Sequence, residues 1–132
     1  MTSSTQMCHC DSGLDLGECC GPLLQKKATA KSPEALMRSR YSAFVLQDFD
    51  YLLRTHDPET VSEFDVEANK DWAKSVQFTK LEIINSSEKN EKGQVKFNAY
   101  FMILSSQEPK VHHEKSIFRK IKGQWYFRSG SS

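Results

Sequence analysis

Apolar residues recur at helical spacing in the first half of this chain and at strand spacing in the second. Leu36, Met37, Tyr41, Phe44 and Val45 mark one face of a helix predicted over residues 33–47. Ser32 suits its N-cap, Pro33 its first turn and Glu34 the positive end of its dipole. Asp48 is placed to cap a second, short helix over 49–54, with Phe49, Leu52 and Leu53 inward, and His56-Asp57-Pro58 breaks it. Phe64, Ala68, Trp72 and Val76 recur every four residues, which predicts one or two helical turns between 58 and 74.

From Val76 the period changes to two. Residues 76–84 alternate, and 88–93 form a polar turn. Val95, Phe97, Ala99, Phe101 and Ile103 share one face of a strand. Gln107-Glu108-Pro109 reads as a turn and 111–121 as a strand. Lys122-Gly123 is a hairpin turn into 124–127, with 129–132 as a frayed tail. Helices followed by an antiparallel meander predict an α+β fold, with helices on one face of a curved sheet that forms a cone with a pocket.

Length and composition refine this picture. The 132 residues, with 38% hydrophobic, 11% aromatic and 27% charged side chains, support one sizeable core and exclude the disordered class. A formal net charge of +1 argues against nucleic acid as a partner. No apolar run is long enough to span a membrane, and no signal-peptide core follows Met1 to Met7, so a cytoplasmic location is expected. Lys26, Lys27 and Lys31 form a modest basic patch, read first as a solvated linker.

All four cysteines fall in the first twenty residues, at Cys8, Cys10, Cys19 and Cys20. The C-x-C-x8-C-C spacing brings ligands from two short segments together, and four thiolates close a tetrahedral shell around Zn²⁺. A segment this short has almost no apolar core, so the metal would supply most of its folding free energy. Two disulfides, an iron–sulfur centre, redox thiols and His9 as a substitute ligand are the alternatives. The expectation is one Zn²⁺ per chain, with residues 1–22 as the zinc-binding motif and 23–132 as the α+β domain.

This segment resembles the SEC-C motif, C-P-C-G-S-G-x5-C-[HC]-G. Cys8, Cys10, Ser12, Gly13, Cys19, Cys20 and Gly21 match it without a gap, with His9 and Asp11 as departures. The resemblance then widens. Leu36-Met37-Arg38-Ser39-Arg40-Tyr41-Ser42-Ala43-Phe44 and the later His113, Glu114, Ser116, Phe118, Gly123, Trp125 and Tyr126 resemble the YchJ family. That family's usual Thr-Trp-His-Pro is Thr55-His56-Asp57-Pro58 here, and its closing Asp-Gly is Ser129-Gly130. The resemblance implies a cystatin-like, nuclear-transport-factor-2-like α+β fold behind a zinc motif. It implies no reaction.

Among candidate chemical groups, Arg38 and Arg40 sit about 200° apart around the first helix. Arg38 is expected nearer the buried face, paired with Glu114. His112 and Glu114 share one strand face and His113 takes the other. No nucleophile elbow or phosphate loop is present. The leading expectation is a non-enzymatic interaction module that presents its zinc loop to a protein partner, with a homodimer as a candidate state. The alternative is a small-molecule binder, or an isomerase- or dehydratase-like enzyme, using a cone pocket around Arg38, Tyr41, Glu114, Trp125 and Tyr126.

Overall fold

A computed structural model of the chain describes residues 6–131. Met1, where the sequence begins, and the four residues after it lie outside the described part. Residues 7–20 form a knuckle. Met7 bridges Asp15, and the Cys8 N–H donates to the Leu14 carbonyl at 2.9 Å. A 3-10 turn, Leu16–Glu18, starts on Asp15, whose carboxylate accepts from the Gly17 N–H. A one-turn helix follows, α1 (Gly21–Leu24), across the expected boundary between residues 22 and 23.

Three helices come next. In α2 (Pro33–Leu46), the Ser32 hydroxyl accepts from the Ala35 N–H, and Gln47 ends the helix in the left-handed region. In α3 (Phe49–Arg54), Asp48 caps through the Tyr51 N–H, as the sequence predicts. Tyr51 rather than Leu53 turns inward, because its hydroxyl meets Ser39 at 2.6 Å while Leu53 stays exposed. Where one or two helical turns were expected, the chain forms a ten-residue helix, α4 (Val66–Ser75), capped by Asp65.

The strands β1 (Val76–Lys89), β2 (Lys92–Ile103), β3 (Glu108–Ile121) and β4 (Gln124–Ser131) form a four-stranded antiparallel meander in chain order. They run longer than alternation alone indicates. The first turn shrinks to Asn90-Glu91. Glu108 and Pro109, expected in a turn, open β3. Of the expected frayed tail, Ser129 to Ser131 are paired, with Ser129 opposite Ile117 and Ser131 opposite Lys115, and Ser132 lies outside the described residues. Register shifts at Phe78/Lys80, Ile83/Asn85 and Ile117/Phe118 bend the sheet around α2.

The core lies between α2, α3 and the concave sheet face, with Leu36, Leu52, Val95, Phe118 and Trp125 almost fully sealed. Gly93 permits this closeness, since a Cβ there would collide with Pro33 and press on Trp125. A second polar centre braces the sheet. Buried Asp57 accepts from Arg119 Nε and Nη2 at 2.8 and 2.9 Å and from Arg128 Nη1 at 2.8 Å. Burial opposes ionisation of this carboxyl. The arginines and the Glu59 N–H overcome it and hold Asp57 at about 2.

Candidate functional site

Helix α2 positions two separate sites. Arg38 and Ser42, one turn apart, face the knuckle. Met37, Arg40, Tyr41 and Phe44 line a cavity on the other side.

At the knuckle, the four sulfurs lie within 4.8 Å of one another. Cys10 Sγ is 3.6 Å from Cys19 Sγ, which is 3.9 Å from Cys20 Sγ. A tetrahedral four-thiolate site with metal–sulfur bonds near 2.3 Å has edges of about 3.8 Å. The donor set therefore fits a metal of that kind. All four thiols are free, and Cys8, Cys10 and Cys20 are buried. The Cys20 hydrogen bond lowers the Cys10 thiol to about 4, and that same bond, reinforced by burial, pushes Cys20 up. Negative charge therefore settles on Cys10 in preference to Cys19 and Cys20.

Polar neighbours surround the sulfurs. Ser12 Oγ lies 3.2 Å from Cys19 Sγ, and Ser42 Oγ lies 3.6 Å from Cys8 Sγ. Arg38 Nη1 donates to the Cys10 carbonyl at 2.8 Å while its Nε donates to Glu34. Asp11, in the left-handed region, accepts from the Leu81 N–H at 2.7 Å and so ties the knuckle to the edge strand β1.

This placement corrects the expectation for Arg38. It pairs with Glu34 one turn away, not with Glu114, and does not line the cavity. The buried arginine is Arg40, 4% exposed. α2 is covered on several sides at once, by α3, the sheet and the knuckle, so the stripe through Met37 and Tyr41 is only part of its buried surface. The small residues Ser39, Ser42 and Ala43 around Arg40 are the sequence signal for that close cover.

The cavity measures about 470 Å³. Its walls are aromatic, with Trp72 at 5.4 Å edge-to-face from both Phe78 and Phe101. Arg40 stacks over Phe127 at 4.5 Å and donates from Nη1 to the Leu52 carbonyl and Thr55 Oγ1, each at 2.8 Å. Burial lowers its guanidinium to about 10, leaving it charged at neutral pH.

On β3, His112 Nε2 meets Glu114 Oε1 at 2.8 Å and Ser116 donates to Glu114 Oε2 at 2.6 Å. Glu114 raises the His112 imidazole above its ordinary value. Burial opposes ionisation of Glu114, but His112 and Ser116 outweigh it and hold the carboxyl below its ordinary range. Gly130 makes room for this carboxylate, because a Cβ there would strike Glu114. His113 points to the other sheet face and meets Asn98 at 2.7 Å, as alternation requires.

Of the expected pocket residues, Tyr41 and Glu114 line the cavity. Trp125 is sealed in the core near Gly93, and Tyr126 falls on the opposite face of β4. Sequence reasoning missed Arg40 as a cavity group and Asp57 as a bracing one. His112 shares the face of Glu114, as alternation predicts, and lines the cavity with it.

A profile described as "YchJ, middle NTF2-like domain" matches residues 32–130. The chain belongs to the YchJ family. A UPF0225 protein of Actinobacillus succinogenes is 39% identical over 125 residues, 93% of this chain and 80% of its own length. The solution structure of a SEC-C motif containing protein from Rhodopseudomonas palustris superposes with a TM-score of 0.89 at 46% identity, covering 95% of this chain and 97% of that one. The crystal structure of a SEC-C motif containing protein from Psychrobacter arcticus gives 0.77 at 30% identity, covering 98% and 75%. Family membership and the cysteine cluster support a metal-binding motif in front of an NTF2-like domain. Among the described residues, no helix is long and apolar enough to cross a membrane.

Proposed function

We propose that this member of the YchJ family is a small-molecule-binding protein whose knuckle carries one structural zinc ion. The observation that carries the reading is the aromatic cavity of about 470 Å³ into which Arg40, His112 and Glu114 converge. Its volume lies within the range of about 300–1,000 Å³ of small-molecule sites, and an apolar wall with a few placed polar groups is their usual chemistry. Four protein ligands leave no open metal position, which suits a structural zinc and not a catalytic one. The bound centre would carry a net charge of about −2, and Ser12, Ser42 and Arg38 are placed to offset it.

Tryptophan fluorescence tests the reading. Trp72 lines the cavity and Trp125 does not. A saturable response to bicyclic aromatic compounds is expected in the full chain and is lost in Trp72→Phe. No saturable response to any of them, or a response retained without Trp72, would remove the reading.

A second reading keeps the knuckle as a protein-docking element. Met7 and Leu14 are exposed on it, 59% and 51%, beside three buried cysteines. Replacing Leu14 by Asp should abolish co-purification of a bound protein while leaving the metal in place. Unchanged co-purification would count against this reading.

A further inference from the structure

Arg40 is a buried cation only half satisfied by the protein. Nη1 has both the Leu52 carbonyl and Thr55 Oγ1. Among the described residues, Nε and Nη2 have no hydrogen-bond partner, and no carboxylate forms an ion pair with the guanidinium. Among the described residues, the sealed side-chain atoms left without a partner are Asp15 Oδ1, His56 Nδ1 and Trp125 Nε1, and the Arg40 nitrogens are not among them. Nε and Nη2 are therefore not fully sealed, and Arg40 lines the cavity.

These two nitrogens form the side-on edge of the guanidinium, a two-donor fork that matches both oxygens of one carboxylate. The same molecule uses that edge elsewhere, where Arg119 Nε and Nη2 hold the two oxygens of Asp57. Glu114 does not fill this role at Arg40, since its oxygens are taken by His112 and Ser116. Its charge also weighs against a dianion in the same cavity. One open fork, one neighbouring carboxylate and aromatic walls describe a ligand with a single negative charge and a flat apolar body.

Resting on the cavity as a binding site, we infer that its ligand is an aromatic or similarly flat monocarboxylate held by the Nε–Nη2 edge of Arg40. The carboxylate lies against Arg40 and the ring system lies between Trp72, Phe97 and Phe101. His112, half-exposed on the cavity wall and bonded to Glu114, is left to meet polar groups of the ligand.

The test compares 2-naphthoate with its neutral counterpart, 2-naphthalenemethanol, by calorimetry on the full chain. The carboxylate is expected to bind about tenfold tighter or more, because the alcohol leaves a buried cation unpaired. Arg40→Met should erase that preference and leave the alcohol's affinity within about twofold. Should that variant not fold, the wild-type chain gives the second readout. The Arg40 Nε–H resonance should shift with naphthoate and stay in place with the alcohol. Equal or tighter binding of the alcohol to the wild type, or a preference that survives Arg40→Met, would overturn the ligand class while leaving the cavity a binding site. Binding of neither compound would overturn both.

Discussion

The knuckle and the cone bury their side chains for different reasons. In the knuckle, the buried groups Cys8, Cys10 and Cys20 are polarisable donors that converge on one point, at a place where Leu16, Leu23 and Leu24 also pack on the core. In the cone, the buried groups are Leu36, Leu52, Val95, Phe118 and Trp125, and their contacts spread across three helices and a sheet. The first region offers a donor set that could hold a cation, and the second excludes water. Helix α2 joins them, with Arg38 and Ser42 on the knuckle side and Arg40 and Tyr41 on the cavity side. Closeness in the chain therefore says little about shared work, since neighbouring residues of one helix belong to different sites.

Removing the metal ligands should separate the regions most sharply. In Cys8→Ser/Cys10→Ser, metal content should fall from about one equivalent to near zero, a loss on the order of 10 kcal/mol for the knuckle. Amide resonances of residues 7–20 should collapse while those of β2 and β3 persist. Metal content by elemental analysis and a nitrogen-correlated NMR spectrum check this. Simultaneous loss of the sheet resonances would show that the cone does not stand alone.

The next effect lies within the cone. Asp57→Asn should cost about 2–3 kcal/mol in urea unfolding. It removes the buried charge that Arg119 and Arg128 share and turns one of the two acceptor oxygens into a donor, and the partial exposure of the arginines keeps the loss below that of a fully sealed pair. The wild type should also lose this contribution as pH falls from about 4 towards about 2, because the folded Asp57 carboxyl is held at about 2. Metal content at neutral pH should be unchanged.

The smallest effect concerns His56, which packs against Phe64 and Phe127 beside the cavity. Burial, helped by the Arg40 charge, lowers its imidazole to about 4. Between pH 6.5 and 4 the unfolded chain therefore binds the extra proton, and stability falls as pH falls through this window, by about 2 kcal/mol. His112 acts in the opposite sense, since Glu114 raises its imidazole and favours the fold at lower pH. Unfolding curves of wild type and His56→Phe at pH 7 and pH 4.5 isolate the His56 share, which should vanish in the variant.

Much of this was legible in the chain. The cap residues Ser32 and Asp48 placed α2 and α3 because their side chains bond the nearby N–H groups whatever lies beyond. The cysteine spacing placed the sulfur cluster for the same local reason. Arg40 and Asp57 were not legible, since their burial depends on partners 12 to 71 residues away. The paired tail at Ser129 and Gly130 was hidden by composition. Small polar residues read as a frayed end until Glu114 and the β3 ladder supply a neighbour.

The most direct test of the cavity as the working site is a site-resolved NMR titration of the full, metal-loaded chain with 2-naphthoate. Saturable shifts are predicted at Arg40, Phe97, Phe101 and His112, with Met7, Leu14 and the four cysteines unmoved. Shifts gathered on the knuckle, with the cavity residues silent, would contradict the account.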